Sequence, residues 1–416
     1  MPRATVLCAL ALAASMSGAQ AARQTAAPAP VRPAAPSMTA EGSAIRARAN
    51  ALLAKMTPEE KAGQLTQYFY FTFGGMKDLP EKELKAGRVG SLLFITDPKE
   101  TNRLQHIAVD ETRLKIPLLF GFDVVHGFRT IFPVPIGMAA SWDPVLVERA
   151  QTVAAAEARA VGVHWAFAPM LDVARDPRWG RIVEGPGEDP YLASAIAAAQ
   201  VRGFQGAALG SADHIIAGPK HYAGYGASLG GRDYDEVNVS DSEFWNVYVQ
   251  PFAAAVKAGA GNVMAAYMPL NGVPAAGNRW LLTDVLRGAL KFKGFVVSDA
   301  NGVVSLATQH FAKDKADAAV RALDAGLDME MNIGGAAYKT LPDAVARGAV
   351  SSAAVDAAVR RVLEAKIRMG LFERPFVDEA HAATVLADPA HREAARIAAE
   401  RCDGSPSTVA ACASST

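Results

Sequence analysis

The chain has 416 residues, half of them apolar, with 42 lysines and arginines against 42 aspartates and glutamates. That length and apolar share can fill one large core, and a single barrel of about 250 residues or more fits within it. The balanced charge excludes the strongly basic surface of a nucleic-acid binder and the cationic face that an anionic membrane attracts.

Residues 1–21 read as a secretory signal. Arg3 supplies the positive start, Ala4 to Met16 a short apolar stretch, and Ala19-Gln20-Ala21 a small-residue cleavage site. The stretch is too short to favour a membrane anchor, so a periplasmic or secreted protein is expected. Residues 22–40 form a Pro/Ala-rich linker. Residues 41–400 are expected to be one α/β domain, because strand-like apolar runs alternate there with helix-like ones. Thr57-Pro58-Glu59-Glu60 is a capping box with proline at the first helical position, and Ser240-Asp241-Ser242-Glu243 repeats the box before Phe244, Val247, Tyr248 and Phe252. A late helix is predicted from Ser352 to Met369, stopped by Gly370.

Between these helices, four apolar runs end on polar or ionisable groups. Pro117 to Phe120 leads into Gly121-Phe122-Asp123-Val124-Val125-His126-Gly127. Trp165 to Pro169 leads into a loop with Asp172, Asp176, Arg175, Arg178, Trp179, Arg181 and Glu184. Ile215 to Ala217 leads to Lys220-His221, and Phe295 to Ser298 ends on Asp299. A continuous β-branched and aromatic run is the mark of a buried parallel strand, and barrel enzymes carry their reactive groups at the C-terminal ends of such strands. Each group also has a structural reading: Asp299 as an N-cap of the next helix, His126 in a buried ion pair, Arg181 paired with Glu184. The repetition at equivalent places favours a ring of Asp, Arg, Lys and His around a hydroxyl-rich ligand.

At these residues the chain resembles the glycoside hydrolase family 3 β-glucosidases, above all the bacterial periplasmic ones. The resemblance rests on Phe122 to Pro133, on Arg175-Asp176-Pro177-Arg178-Trp179-Gly180-Arg181 and on Gly187-Glu188-Asp189-Pro190-Tyr191-Leu192. Lys220 to Gly226, Leu270-Asn271-Gly272-Val273-Pro274 and Gly294 to Asp299 extend it, in order, over about residues 45 to 400. It implies a TIM-like (β/α)8 barrel and a retaining exo-β-glucosidase acting on oligosaccharides or β-glucosides. By the same resemblance Asp299 matches the catalytic nucleophile. Asp123, Arg181, Lys220 and His221 match the residues that grip the terminal sugar, and Tyr267 sits where some members place a tyrosine beside the nucleophile. A retaining hydrolase needs a second carboxyl roughly 5 Å from the nucleophile to protonate the leaving oxygen, and the family takes it from a second α/β domain.

After Glu400 this sequence departs from the family: residues 401–416 run through Cys402, Gly404, Pro406 and Cys412 as a small, polar tail, expected to be disordered. The expectation is a truncated or frameshifted gene whose product lacks that second domain and is impaired. Two other readings share the residues. A single-domain β-N-acetylhexosaminidase carries a second histidine in the loop that here reads Tyr222-Ala223-Gly224-Tyr225-Gly226, which disfavours it. A noncatalytic sugar-binding remnant keeps the pocket without turnover. No metal or organic cofactor is expected, because no His-x-His or Cys-x-x-Cys pair occurs.

Overall fold

A computed structural model describes residues 38–71 and 78–402. The predicted signal and nearly all of the linker, with the tail beyond Cys402, therefore lie outside the described residues. The chain divides into a leading unit, Met1–Glu41, and a main unit, Gly42–Thr416. Of the leading unit only the opening residues of helix Met38–Leu53 are described.

Eight parallel strands of the main unit close into a barrel: β1 (Thr66–Phe69), β2 (Ser91–Leu93), β3 (Leu119–Phe122), β4 (Trp165–Ala166), β5 (Ile216–Ala217), β6 (Asn262–Ala265), β7 (Phe295–Ser298) and β8 (Glu330–Asn332). β8 pairs with β1, and the ladder runs on from β1 to β5 in chain order. β6 pairs with β7. The ring closes through two further contacts, Tyr222 opposite Ala265 and Val297 opposite Met329. This is the TIM-like barrel that the family resemblance implied.

The interior is packed rather than open. Trp165 meets Phe167 and Phe295 edge to face, both at 4.9 Å between ring centroids. Gln67 donates to Ser91 Oγ at 2.8 Å, and Ser91 in turn donates to the Leu119 carbonyl at 2.5 Å. A side chain at Gly121 would meet the Phe167 ring at 2.5 Å, so β3 needs a glycine to let that ring fill the axis.

Outside the barrel, an aspartate followed by proline opens three helices, Pro98–His106, Pro144–Ala160 and Pro190–Gln205, each aspartate accepting backbone N–H groups. The Thr57 box is complete, whereas Ser240 makes only its own half: it accepts from Glu243 N, and Glu243 accepts instead from the Tyr248 hydroxyl. The late helix spans Ser352–Arg368. Helix Pro389–Cys402 includes Arg401 and Cys402, and Arg401 reaches Asp143 at 2.7 Å. Among the described residues no helix is long and apolar enough to cross a membrane.

Candidate active site

β7 is buried along its whole length, so the chain emerges from the core with Asp299 as its first group at the barrel mouth. The Ser298 hydroxyl accepts from Met331 N and donates to the Asp299 carbonyl, which fixes the strand end against β8. The Asp299 side chain is 12% exposed. One of its oxygens accepts from Ala300 N at 2.7 Å, and the other lies 3.4 Å from His221 Nε2. The following helix, Gly302–Thr308, takes Asn301 at its N-cap position, so Asp299 is not its cap. Burial pushes the Asp299 carboxyl above the usual range, while Lys220, the Ala300 N–H, the Tyr267 hydroxyl and Arg181 pull it back.

The segment after β5 continues the ladder irregularly. Lys220 N donates to Pro169 O at 2.8 Å, Leu171 N to Lys220 O at 2.6 Å and Tyr222 N to Met264 O at 2.8 Å. The Lys220–His221 peptide is cis. These bonds hold Lys220 and His221 between β4 and β6 with both side chains in the mouth. Lys220 is 7% exposed, and its ammonium meets Asp123 Oδ1 at 2.7 Å. Asp123, directly after β3, is 42% exposed and turns its remaining acceptors to the cleft.

His221 is fixed from behind. Asp172 accepts from its backbone N at 3.1 Å and from Nδ1 at 2.8 Å. Burial, with Arg181 and Lys220, holds the imidazole well below its ordinary pKa, so the ring is neutral. The carboxylate partner assigns the proton to Nδ1 and leaves the Nε2 lone pair to Arg181 Nη2 at 3.3 Å. Burial also raises the Asp172 carboxyl, to about 7. With the Nε2 lone pair taken by Arg181, the Asp299 oxygen 3.4 Å away has no proton to accept from the imidazole and keeps its lone pairs for a ligand.

Arg181 grips Glu184 with two bonds of 2.8 and 3.0 Å, and its guanidinium lies 5.7 Å from the centre of the Tyr225 ring. Tyr267 follows β6; burial and the Asp299 charge drive its hydroxyl far above the usual phenol range, which keeps it a donor toward that carboxylate. Together with Phe69, Phe94 and Tyr234, these groups line a cleft of about 440 Å³. Tyr234 is exposed, with a left-handed φ of 66°, and meets Tyr267 edge to face at 5.1 Å. Phe69 and Phe94 pair edge to face at 5.3 Å on the other rim.

The six residues singled out from the sequence, Asp123, Arg181, Lys220, His221, Tyr267 and Asp299, thus meet in one cleft. His126 does not join them; its Nδ1 bonds Phe132 O at 2.9 Å and pins its own loop. Glu188 does not line the cleft, and Glu184 does. Asp172 was legible as an acid between apolar Leu171 and Val173, but its partner lies 49 positions away. Phe94 and Tyr234 gave no signal beyond being aromatic. Among the described residues no group of three or more His, Cys, Asp or Glu converges as a metal site requires.

Comparison with known proteins bears on the family and the barrel. The glycosyl hydrolase family 3 N-terminal domain matches residues 57–365. A periplasmic β-glucosidase of Salmonella typhimurium is 41% identical over 326 residues, which are 78% of this chain and 42% of the relative. A putative β-xylosidase of Formosa agariphila is 36% identical, covering 80% of this chain and 47% of its own. The crystal structure of a β-glucosidase from Listeria innocua in complex with glucose superposes with a TM-score of 0.81 at 34% identity, covering 86% of this chain and 51% of the other. The chain therefore spans about half the length of the relatives it matches. With the domain model matched over most of the barrel and relatives above 30% identity across it, the chain belongs to glycosyl hydrolase family 3.

Proposed function

We propose that this barrel binds the terminal sugar of a β-glucoside and carries the nucleophile of a retaining exo-hydrolysis. The observation that supports it most is the Asp299 carboxylate, buried at the end of β7 yet open to a cleft that also presents Asp123, Lys220, Arg181 and His221. In this reading Asp123 accepts from sugar hydroxyls, while Lys220 and Arg181 donate to them by charge-assisted bonds. His221 orients Arg181 through Nε2. Asp299 attacks the anomeric carbon, forming an acyl–glycosyl bond as the glycosidic C–O bond breaks, and water later hydrolyses that ester with a second inversion. Tyr267 donates to Asp299 and steadies it between the two steps. β-Xylosides are the alternative substrates, in keeping with the Formosa relative. Export to the periplasm fits the basic and apolar opening of the chain and the name of the Salmonella relative.

Protonation of the leaving oxygen needs an acid. In the cleft Asp123 is engaged by Lys220 and Glu184 by Arg181, so neither is free to give up a proton. A group outside the described cleft takes that role in the complete reaction. The 416-residue chain assayed alone then depends steeply on the leaving group, activated aryl glucosides outpacing cellobiose by about 10²–10⁴-fold beyond their intrinsic difference.

The test is hydrolysis of a chromogenic aryl β-glucoside, followed by trapping with a 2-fluoro-glucoside and peptide mapping. Label on Asp299 supports the reading. Label on Glu184 or Glu188 overturns the nucleophile assignment. Glucose binding without turnover of any aryl glycoside favours a noncatalytic sugar-binding protein instead.

A further inference from the structure

The end of the barrel opposite the mouth carries a second cleft, of about 610 Å³. Its floor is Gly261 and Gly294, the residues just before β6 and β7, which approach so closely that a side chain at Gly294 would meet Gly261 O at 2.1 Å. Its walls come from the late helix Ser352–Arg368 and from the segment leading into β7. Six cationic side chains line it, Arg46, Arg287, Lys293, Arg360, Arg361 and Arg368, against one carboxylate, Glu364. A second carboxylate, Asp328, lies fully buried behind the wall.

These two acids account for four of the cations. Asp328 binds Arg287 and Arg361, each at 2.5 Å, and Glu364 binds Arg46 at 3.2 Å and Arg368 at 3.1 Å. Four guanidiniums thus share two negative charges. The remaining two have no carboxylate partner among the described residues: Arg360 bonds only the Asn50 amide oxygen, at 2.7 Å, and Lys293 is exposed. Arg287 also keeps Nε buried without an acceptor. In a chain whose charges balance to zero, this concentration of one sign in a concave site is a local device rather than a reflection of composition. Concavity adds to it, since low-dielectric walls focus the field and planar guanidiniums present paired donors suited to tetrahedral oxyanions.

We propose that this cleft is a binding site for a tetrahedral oxyanion, a phosphate or sulfate group either free or esterified on a glycan. Arg360 and Lys293 supply its free charge, while Arg287 and Arg361, braced by Asp328, form its rigid back wall. The site is remote from Asp299, which stands at the other end of the same strand, so ligand binding here and sugar binding at the mouth are separable.

Titration calorimetry on the full chain tests it, with sodium pyrophosphate as the free-oxyanion probe and a sulfated dextran oligosaccharide as the glycan-ester probe. Saturable binding of either at low salt is expected, weakening steeply as salt rises. Lys293→Glu with Arg360→Glu should weaken it by tenfold or more and leave aryl glucoside hydrolysis unchanged. Pyrophosphate alone identifies the ligand as a free oxyanion, dextran sulfate alone as an ester-bearing glycan, and both as the shared group. No saturable heat with either probe, or unaltered affinity in the double variant, overturns the proposal. Should the charge-reversed protein fail to fold, Lys293→Gln with Arg360→Gln serves, read by the same loss of affinity.

Discussion

Asp299 and Asp328 are both aspartates at the ends of adjacent strands, and the barrel treats them in opposite ways. Asp328, just before β8, is fully buried and saturated: it accepts from Arg287, twice from Arg361 and from Val296 N at 2.8 Å. Asp299, at the far end of β7, is almost as buried yet is bonded only by the Ala300 N–H and the Tyr267 hydroxyl, with a distant imidazole beside it and no bonded cation. A carboxylate whose lone pairs are all taken by protein is a structural bolt. One with lone pairs left over at the edge of a cleft keeps acceptor strength for a ligand. The surroundings of each acid, rather than its burial, separate scaffold from reactive group.

The comparison breaks most visibly if the two acids are neutralised in turn. Asp299→Asn should lower aryl glucoside turnover by about 10⁴-fold or more, since the amide is close in shape and not nucleophilic. Its melting temperature should hold or rise, because an underpaired buried charge is removed; a variant that keeps activity would place the nucleophile elsewhere. Asp328→Asn should do the reverse. Two arginines lose their shared counter-charge, and about 3 kcal/mol of stability is expected to go in urea unfolding, with the folded fraction still turning over substrate. Equal stability in Asp328→Asn would show that solvent already screens the pair.

Asp172→Asn sharpens the comparison within the mouth. Asp172 does not itself line the cleft and acts through His221, so the asparagine should weaken catalysis by about 2 kcal/mol, the worth of a hydrogen bond to a charged group. That loss should appear in kcat/KM with an altered pH profile and an unchanged melting curve; a stability loss alone would make Asp172 merely structural.

The last expected effect is a slope. Lys366, fully buried in the late helix, donates to Gln64 Oε1 at 2.7 Å, and burial lowers its pKa to about 7. In the unfolded chain it titrates near 10.4. Between about pH 7 and pH 10 the unfolded chain holds a proton that the folded chain has shed, so stability should rise with pH across that window and level off above it. Lys366→Met should flatten the rise; an identical slope in the variant would mean the lysine is charged when folded.

Much of this was open to reading in the sequence, for a local reason. The run Phe295 to Ser298 declares a buried strand by composition alone, and a lone carboxylate after it is conspicuous. The pairs Lys220-His221 and Asp123 with its glycines stand out in the same way. What stayed hidden depends on distance along the chain. β4 and β5 have only two residues of regular ladder each, so the bonds that aim Lys220 and His221 come from irregular segments without a periodic signature. Asp172 could not be assigned because its partner is 49 positions on. The basic cleft draws on residues near 46, 290 and 360, brought together only by closure of the barrel.

The neutral imidazole of His221 has a spectroscopic consequence. A ring locked to Asp172 at Nδ1 and crowded by Arg181 and Lys220 gains no proton as the solution is acidified through the range where histidines ordinarily titrate. Its ring-proton NMR signals should stay stationary there. A limb near neutrality in a pH–rate profile therefore has to be traced to a carboxyl group and not to this histidine.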